Sequence, residues 1–561
     1  MRTFDVPYLR DLRELVDLAA QKYKDATAFR ELDGAGTVHD YSYSRVREDV
    51  FALGTVLFDL GLAGRHVAIV GENSYSYVVC YLAVAGAGGV IVPLDKELTA
   101  EDLARLIDRS DAEAVFYGDL LHAEMPTILA GCPKVRLSAN IGRFAKPSHD
   151  PGFDRLLAQG RELLAIGDQR FEQVSIEPDK AAAILYTSGT TGPNKGVMLS
   201  QRNIVTVIHS AFSMFRLPPT CFSVLPINHA YEFNLNVLGC LHGGITLCFN
   251  DSIMHVAENL KRFRPEMALM VPMIVEAMYT NVWKQAEKNH MTGYLRYAVG
   301  LSDALRHVGI DLRRVFFRPV IEGFGGRLRL VICGGAPLRP ELAAGLSSLG
   351  VEVYNGYGIT ECAPLISSNC TLRSVPGSVG PPCPDIEVRI GEPDADGTGE
   401  VQVRGPSVML GYYQDPDATR ATFTEDGWFK TGDLGYLGRR GALFITGRQK
   451  NLIILPNGKN VQPEELEEKL LSGIGYLREV VVHECLDAGG VARIAASAYL
   501  DPDWVSQLGL DDAKRRFEAD VAGINDRLAG YKQIHLTHLR DCEFEKTATK
   551  KIMRYRIETA M

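Results

Sequence analysis

From about Val67 onward, apolar and polar positions alternate in blocks. "HVAIVG" is a short continuous apolar run of the kind a buried strand makes. Residues 77–94, "YVVCYLAVAGAGGVIVPL", follow without a charge for eighteen positions, close to the length that spans a bilayer. Gly86, Gly88 and Gly89 interrupt that run, and Val90, Ile91 and Val92 lead into Pro93. The pattern therefore predicts a buried helix, a turn and a strand rather than a membrane span. A further helix opens at Thr99, whose hydroxyl and Asp102 form a capping-box signature, and "AEAVFYG" is the next strand.

The rhythm resumes with "AAAILYT", "CFSVLPI", "ITLCF", "MALMV", "LRLVICGG" and "VEVYNGY" as strands separated by helical patterns. Strands alternating with helices imply βαβ units and a parallel sheet, so the body is a large α/β region. After "GALFITGRQKNLIIL" the character changes. Pro463 opens a short helix with Leu466, Leu470 and Leu471 on one face, and "REVVVHEC" and "ARIAASAYL" read as strands. Phe517, Val521, Ile524 and Leu528 mark another helix, and "QIHLTHL" is a last strand. This is a compact α+β domain, with the boundary at 447–450.

Composition narrows the function classes. The 561 residues exceed the size at which one core keeps growing, and 46% hydrophobic with 23% charged residues suits a folded globular chain. A net charge of -9 without a basic stripe speaks against nucleic acid. Eleven scattered cysteines with no C-x-x-C pair argue against a disulfide framework and a zinc site and fit a reducing cytoplasm. The first residues, "MRTFDVPYLRDLRELVDLAAQKY", mix charge into a helical pattern and lack the apolar block of a secretory signal.

The most informative chemistry lies at 184–200, "ILYTSGTTGPNKGVMLS". A strand runs into Gly189, Gly192 and Gly196, the hydroxyls of Thr187, Ser188, Thr190 and Thr191, and Lys195. Glycines let backbone N–H groups converge on an anion, hydroxyls add donors and the lysine adds charge, so the loop suits phosphate. Ser200 caps the helix after the loop. A P-loop needs Gly before the Lys and Ser or Thr after it, whereas Asn194 and Gly196 flank Lys195.

This segment resembles the signature loop of the AMP-forming adenylating enzymes, which include acyl-CoA synthetases, peptide-synthetase adenylation domains and firefly luciferase. Further motifs occur in that family's order. "YNGYGITE", 354–361, places glycines beside a tyrosine, where a flat ring can stack, and ends in a hard carboxylate ligand. Read alone, Glu361 could equally be a surface acid. The resemblance implies Tyr357 and Gly358 against adenine, Thr360 on the α-phosphate and Glu361 on Mg²⁺. Gly334, Gly335 and Ala336 of "CGGAPL" are implied as the wall beside the adenine. In "WFKTGDLG" Asp433 can accept from both ribose hydroxyls, which is its implied role, with Arg448 in support.

The resemblance makes Lys450 the hinge between a large, multi-subdomain α/β domain (1–447) that binds ATP and the acid, and a small mobile α+β lid (448–561). In "PNGKN", Gly458, Lys459 and Asn460 form the turn implied to enter the site for thiol transfer, a solvated turn lysine being the alternative. His229 of "LPINHAYEFN", placed at a strand end, is implied beside the acid's carboxylate. Amino-acid-activating relatives carry an Asp next, where Ala230 stands; this favours a plain carboxylic acid, while Glu232 leaves the alternative open. The pairs His535/His538 and His242/His255 lack metal-site partners and read as structural.

Near the end, "EFEKTATKKIMRYRI" matches the family's K-T-x-x-G-K-I-x-R pattern, which puts Lys551 at the catalytic position and Lys550 in place of the usual Gly. The implied chemistry is attack of a carboxylate on the α-phosphate of Mg·ATP, giving acyl-AMP and pyrophosphate, then transfer of the acyl group to the thiol of coenzyme A. The chain is similar to bacterial long-chain acyl-CoA synthetases, which implies a medium- or long-chain fatty acid. An aryl acid, an acyl carrier protein as acceptor, a homodimer and a peripheral membrane location are left open.

Overall fold

The computed structural model describes residues 4, 6–142, 152–187, 194–370, 374–455, 460–486, 492–546 and 552–557. By its internal contacts the chain divides into two compact units. Over the described residues, the first comprises 4–187, 194–387 and 404–427, and the second 388–403 and 428–557.

The first unit holds two mostly parallel sheets. One has eight strands in the order Leu365–Ser368, Glu352–Gly358, Leu330–Cys333, Met267–Met270, Thr220–Ser223, Thr246–Phe249, Thr27–Leu32 and Val38–Ser42. Its central neighbours run parallel and its two edge strands antiparallel. The other has seven strands: Gly411–Tyr412, Lys195–Ser200, Ala181–Thr187, Val90–Leu94, His66–Val70, Ala114–Tyr117 and Leu137–Asn140.

These strands read as near-continuous apolar runs because helices cover parallel sheets on both faces. The uncharged 77–94 stretch resolves accordingly into the helix Tyr75–Gly86, buried at every position, and the buried strand Val90–Leu94. Among the described residues no helix is long and apolar enough to cross a membrane. Thr99 caps the helix Ala100–Arg109 by accepting from the Asp102 amide, as its spacing predicts. None of the eleven cysteines is in a disulfide, and ten of them are buried.

The second unit contains a four-stranded sheet, Glu387–Gly391, Gly399–Arg404, Phe429–Leu437 and Leu443–Arg448, and a three-stranded sheet, Leu477–Leu486, Ala492–Leu500 and Leu536–Arg540. Helices Pro463–Gly473 and Leu510–Asn525 pack on the latter through Leu466, Leu470, Phe517 and Val521. The strands of the four-stranded sheet pair only with one another, Gly399–Arg404 with Phe429–Leu437 and the latter with Leu443–Arg448, and by internal contacts residues 388–403 and 428–447 group with the C-terminal part of the chain.

Candidate active site

The phosphate-type loop is the tip of an antiparallel hairpin. Strands Ala181–Thr187 and Lys195–Ser200 are in register with Thr187 opposite Lys195. Ser188, Gly189, Thr190, Thr191 and Gly192 lie outside the described residues. At the base, Ser200 and Asn203 cap the helix Gln201–Met214 reciprocally. Gly196 is closely surrounded: a Cβ there would lie 2.9 Å from Ile184 Cγ2 and 3.3 Å from Tyr413 Cβ, so a side chain would force its neighbours to shift. The hairpin root is thus tightly packed, which holds Lys195 in place.

A short strand, Gly411–Tyr412, pairs with the outer hairpin strand, Tyr412 opposite Val197. Lys195 Nζ sits 4.8 Å from the centre of the Tyr412 ring, within cation–π range. The Tyr412 hydroxyl donates to Glu361 Oε1 at 3.0 Å, and the Met409 amide donates to the Glu361 carbonyl at 2.8 Å. Burial, with the adjacent Glu361 carboxylate, pushes the Tyr412 phenol well above its ordinary range, so it stays a donor. Two motifs about 160 positions apart in the chain are therefore joined through one tyrosine.

Glu361 sits in the one-turn helix Thr360–Cys362 that succeeds the strand Glu352–Gly358. That strand must pass close to its returning partner: a Cβ on Gly358 would lie 2.1 Å from the Pro364 carbonyl oxygen. The next parallel strand, Leu330–Cys333, ends beside it, with Cys333 opposite Asn355. Gly334 comes next, where a Cβ would stand 3.4 Å from the Gly356 carbonyl and from the Tyr231 ring, whose hydroxyl donates to the Ile332 carbonyl. Gly335 has φ +87°, a conformation open mainly to glycine, and Gly335 and Ala336 are exposed. Both glycine motifs, with Tyr357, thus meet at the C-terminal ends of adjacent strands, where open α/β sheets bind ligands. Asn355 Oδ1 is buried there without a hydrogen-bond partner, an acceptor a ligand N–H could satisfy.

His229 is not at a strand end. The strand closes at Ser223, and residues 224–230 form a turn leading into a π-helix, Tyr231–Val237. Asn73 holds this turn, donating to the Leu225 carbonyl at 2.7 Å and accepting from the Ile227 amide at 3.1 Å. With its backbone groups engaged by a side chain, the segment has no ladder partner and leaves the sheet. Half-buried His229 accepts the Phe233 amide on its carbonyl at 2.9 Å.

Glu232 on the π-helix is fully buried. Its Oε1 accepts from the Ser223 hydroxyl at 2.5 Å and from Asn236 Nδ2 at 2.9 Å, while Oε2 has no partner. Burial outweighs these donors and raises the carboxyl to about 8, so it is mostly neutral at pH 7. Glu232, Asn73 and Tyr412 were not assigned roles from sequence. For Tyr412 the signal was Gly411 before two tyrosines; for Asn73 no local signal exists.

In the second unit, Asp433 is buried in the strand Phe429–Leu437 opposite Arg448, whose Nε donates to Asp433 Oδ1 at 2.7 Å. Gly432 before it has φ +70°. Lys450 is exposed in the short turn Gln449–Asn451, and Asn451 donates to Glu464 Oε1 at 2.6 Å. Asn460 pairs with Ile454 across a two-residue hairpin whose tip, with Gly458 and Lys459, lies outside the described residues. Lys550 and Lys551 lie outside them too. The residues on either side are anchored: Lys546 pairs with Glu479 and Glu543, Arg554 pairs with Glu467, and Lys546 bridges Ile552.

Burial lowers His242 to about 4 as it packs edge-on against Phe212, and His255 contacts Asp251. Among the described residues no group of three or more His, Cys, Asp or Glu could hold a metal ion.

The family described as "AMP-binding enzyme" matches residues 16–413. A long-chain-fatty-acid–CoA ligase, FadD15 of Mycobacterium bovis, is 30% identical over 461 residues, covering 79% of this chain and 74% of that one. Among solved structures, the anthranilate CoA ligase AuaEII with anthranoyl-AMP superposes with a TM-score of 0.78 at 19% identity over 99% of this chain and 98% of that one. ATP-bound MatB of Rhodopseudomonas palustris gives 0.75 at 24% identity over 97% of each chain. These two are likenesses of fold. The chain belongs to the AMP-binding enzyme family and is an adenylate-forming acid–CoA ligase.

Proposed function

We propose that the chain activates a medium- or long-chain fatty acid through an acyl-AMP intermediate and passes the acyl group to coenzyme A. The single observation that carries the site reading is the Lys195–Tyr412–Glu361 contact, which joins the root of the phosphate loop to the carboxylate just beyond the adenine strand. The acid class rests on similarity to long-chain-fatty-acid–CoA ligases and on Glu232. A buried, mostly neutral carboxyl is no fixed counter-ion for a substrate ammonium, so the turn at 225–232 suits an acid without an amine.

Both reactants of the first step are anions, and their approach needs positive charge and donors concentrated where charge develops. Lys195 and the loop donors face the leaving pyrophosphate, Thr360 the α-phosphate and His229 the acid carboxylate. Tyr357, with Gly334, Gly335, Ala336 and Gly358, holds the adenine; Asp433, oriented by Arg448, takes the ribose. A lone carboxylate suits Mg²⁺, which binds through one or two protein carboxylates plus phosphate oxygens rather than in a protein cage. Glu361 would hold it, and the ion would neutralise the triphosphate.

Lys551 would supply the last cation from the small domain, turning about Lys450 so that the lysine withdraws and the 458–460 turn meets the thiol. Pyrophosphate exchange over a panel of fatty, aryl and amino acids, then AMP release with coenzyme A or a carrier protein, tests the reading. Exchange confined to aryl or amino acids would reject the fatty-acid assignment, and AMP release only with a carrier protein would reject coenzyme A.

A further inference from the structure

The root of the phosphate-type loop is held from a part of the chain that no motif marks. Helix Ala100–Arg109 carries Arg109 in its last turn, and Asp111 stands two residues further on. An arginine at the end of a helix commonly serves that helix's own last carbonyls. Half-buried Arg109 instead donates through Nη1 to the Asn194 carbonyl at 3.0 Å, 85 positions along the chain, and makes no ion pair among the described residues.

Asp111 makes the second attachment. Its Oδ2 accepts from the Tyr413 hydroxyl at 2.5 Å and from Gln414 Nε2 at 2.8 Å, 302 and 303 positions away, while its Oδ1 takes Lys134 Nζ at 2.7 Å. A phenol–carboxylate bond of that length is charge-assisted and roughly twice as strong as a neutral one. Burial and the Asp111 carboxylate push the Tyr413 phenol up to about 12, so it remains the donor. Asp111 has φ +56°, in the left-handed region that Asp and Asn tolerate better than other side chains.

Both attachments end next to Lys195. Asn194 precedes it; Gly196 follows it, and the Gly196 carbonyl accepts the Tyr413 amide at 2.7 Å. Tyr413 in turn follows Tyr412, whose ring carries Lys195 Nζ and whose hydroxyl donates to Glu361. There is little slack between these parts: a Cβ on Gly196 would meet Tyr186 Cε1 at 3.2 Å and Tyr413 Cβ at 3.3 Å. Lys195 is therefore bracketed by two residues fixed from 109–111, Asn194 directly and Gly196 through Tyr413. Strand pairing already closes the hairpin at Thr187 and Lys195, so the attachments add restraint beyond what forming it requires.

We propose that Asp111 and Arg109 are positioning residues for the adenylation step: through Tyr413 and Asn194 they hold Lys195 and the Tyr412–Glu361 pair in the arrangement that receives the triphosphate. The proposal rests on the reading of the 187–196 loop as the site of the triphosphate, and adds the residues that set its geometry from outside. A misplacement of about 1 Å caused far from the chemistry can cost about a hundredfold in rate, so a tether of this kind can govern turnover. The restraint matters only while pyrophosphate is leaving. Thiol attack on acyl-AMP has no triphosphate to hold.

Pyrophosphate exchange and thioester formation from supplied acyl-AMP, each measured below the variant's melting midpoint, separate positioning from stability. Tyr413→Phe should lower kcat/KM for Mg·ATP in exchange by about tenfold or more, leave the KM for the acid unchanged and spare thioester formation. Asp111→Asn keeps the left-handed backbone, removes the charge and should act in the same direction. The double variant should be no worse than Tyr413→Phe alone, as the two ends of one bond require. Arg109→Met should also slow exchange, and Arg109→Lys, which keeps a donor, should stay closer to wild type. Lys134→Met removes an exposed ion pair from the other carboxylate oxygen and should change neither step. With exchange normal in the wild type, equal losses in both steps, additive losses in the double variant, or unchanged exchange in Tyr413→Phe and Asp111→Asn would overturn this proposal alone. No acid-dependent exchange in the wild type would overturn the reading of the loop and the proposal together.

Discussion

At the scale of single residues, the proposed chemistry gives two side chains separate and testable roles. Lys551 is argued to act only while the acyl-phosphate bond forms. Lys551→Ala should slow adenylation by about 10²–10³-fold, the usual loss for one transition-state donor, and leave thioester formation from supplied acyl-AMP near wild type. Lys550→Ala should be mild in both half-reactions. Equal losses from both substitutions would reassign the working lysine. Tyr412 acts through Glu361. Tyr412→Phe removes one hydrogen bond to a carboxylate, worth about 1.5–3 kcal/mol. A fall in kcat/KM of about tenfold or more is expected, with a higher magnesium concentration for half-maximal rate, beside whatever fall in melting midpoint the lost bond brings. A lower midpoint at normal magnesium dependence would make Tyr412 merely structural.

At the scale of elements, the turn after Ser223 and the strand ending at Gly358 each make a checkable claim. π-Helical turns collect at functional sites, and this one carries a buried carboxyl raised to about 8. Below about 4.5, its ordinary value, both folded and unfolded chains hold the proton, and the contribution to stability is fully present. Between there and about 8 only the folded chain keeps it, so stability falls by roughly 1.4 kcal/mol per pH unit, and above about 8 the loss is complete. Glu232→Gln is neutral throughout. Denaturant titrations from pH 5 to 8 should show the variant gaining steadily on wild type; a constant difference would mean that Glu232 is ionised in the fold. Gly358→Ala would press a methyl against the Pro364 carbonyl. The expected cost is about 1–3 kcal/mol of stability, read as a lower melting midpoint, together with weakened nucleotide binding as the Thr360–Glu361 turn shifts.

At the scale of the whole molecule, physical range decided how much could be read in the sequence. Continuous apolar runs announced the parallel strands, because burial on both faces leaves a local signature. The placement of 388–403 and 428–447 was not legible. "GEVQVR", "WFKTGDLGYL" and "GALFITGR" are antiparallel strands that pair with one another, and that pairing rests on cross-strand register rather than on composition. Long-range partners escaped for the same reason: nothing near Asn73 hints that it holds residues 225–227, and nothing near Tyr412 points to Glu361. The mostly apolar run "CFSVLPI" suggests a strand reaching toward His229, yet the strand stops at Ser223 where side-chain hydrogen bonds replace the ladder.

Fatty-acid-dependent exchange of labelled pyrophosphate into ATP, measured with Mg²⁺ and without coenzyme A, tests the central claim most directly. The account predicts exchange that requires the acid, is strongest with a medium- or long-chain fatty acid and is lost in Lys551→Ala. Acid-independent hydrolysis of ATP to ADP and phosphate, with no exchange for any fatty acid, would contradict it.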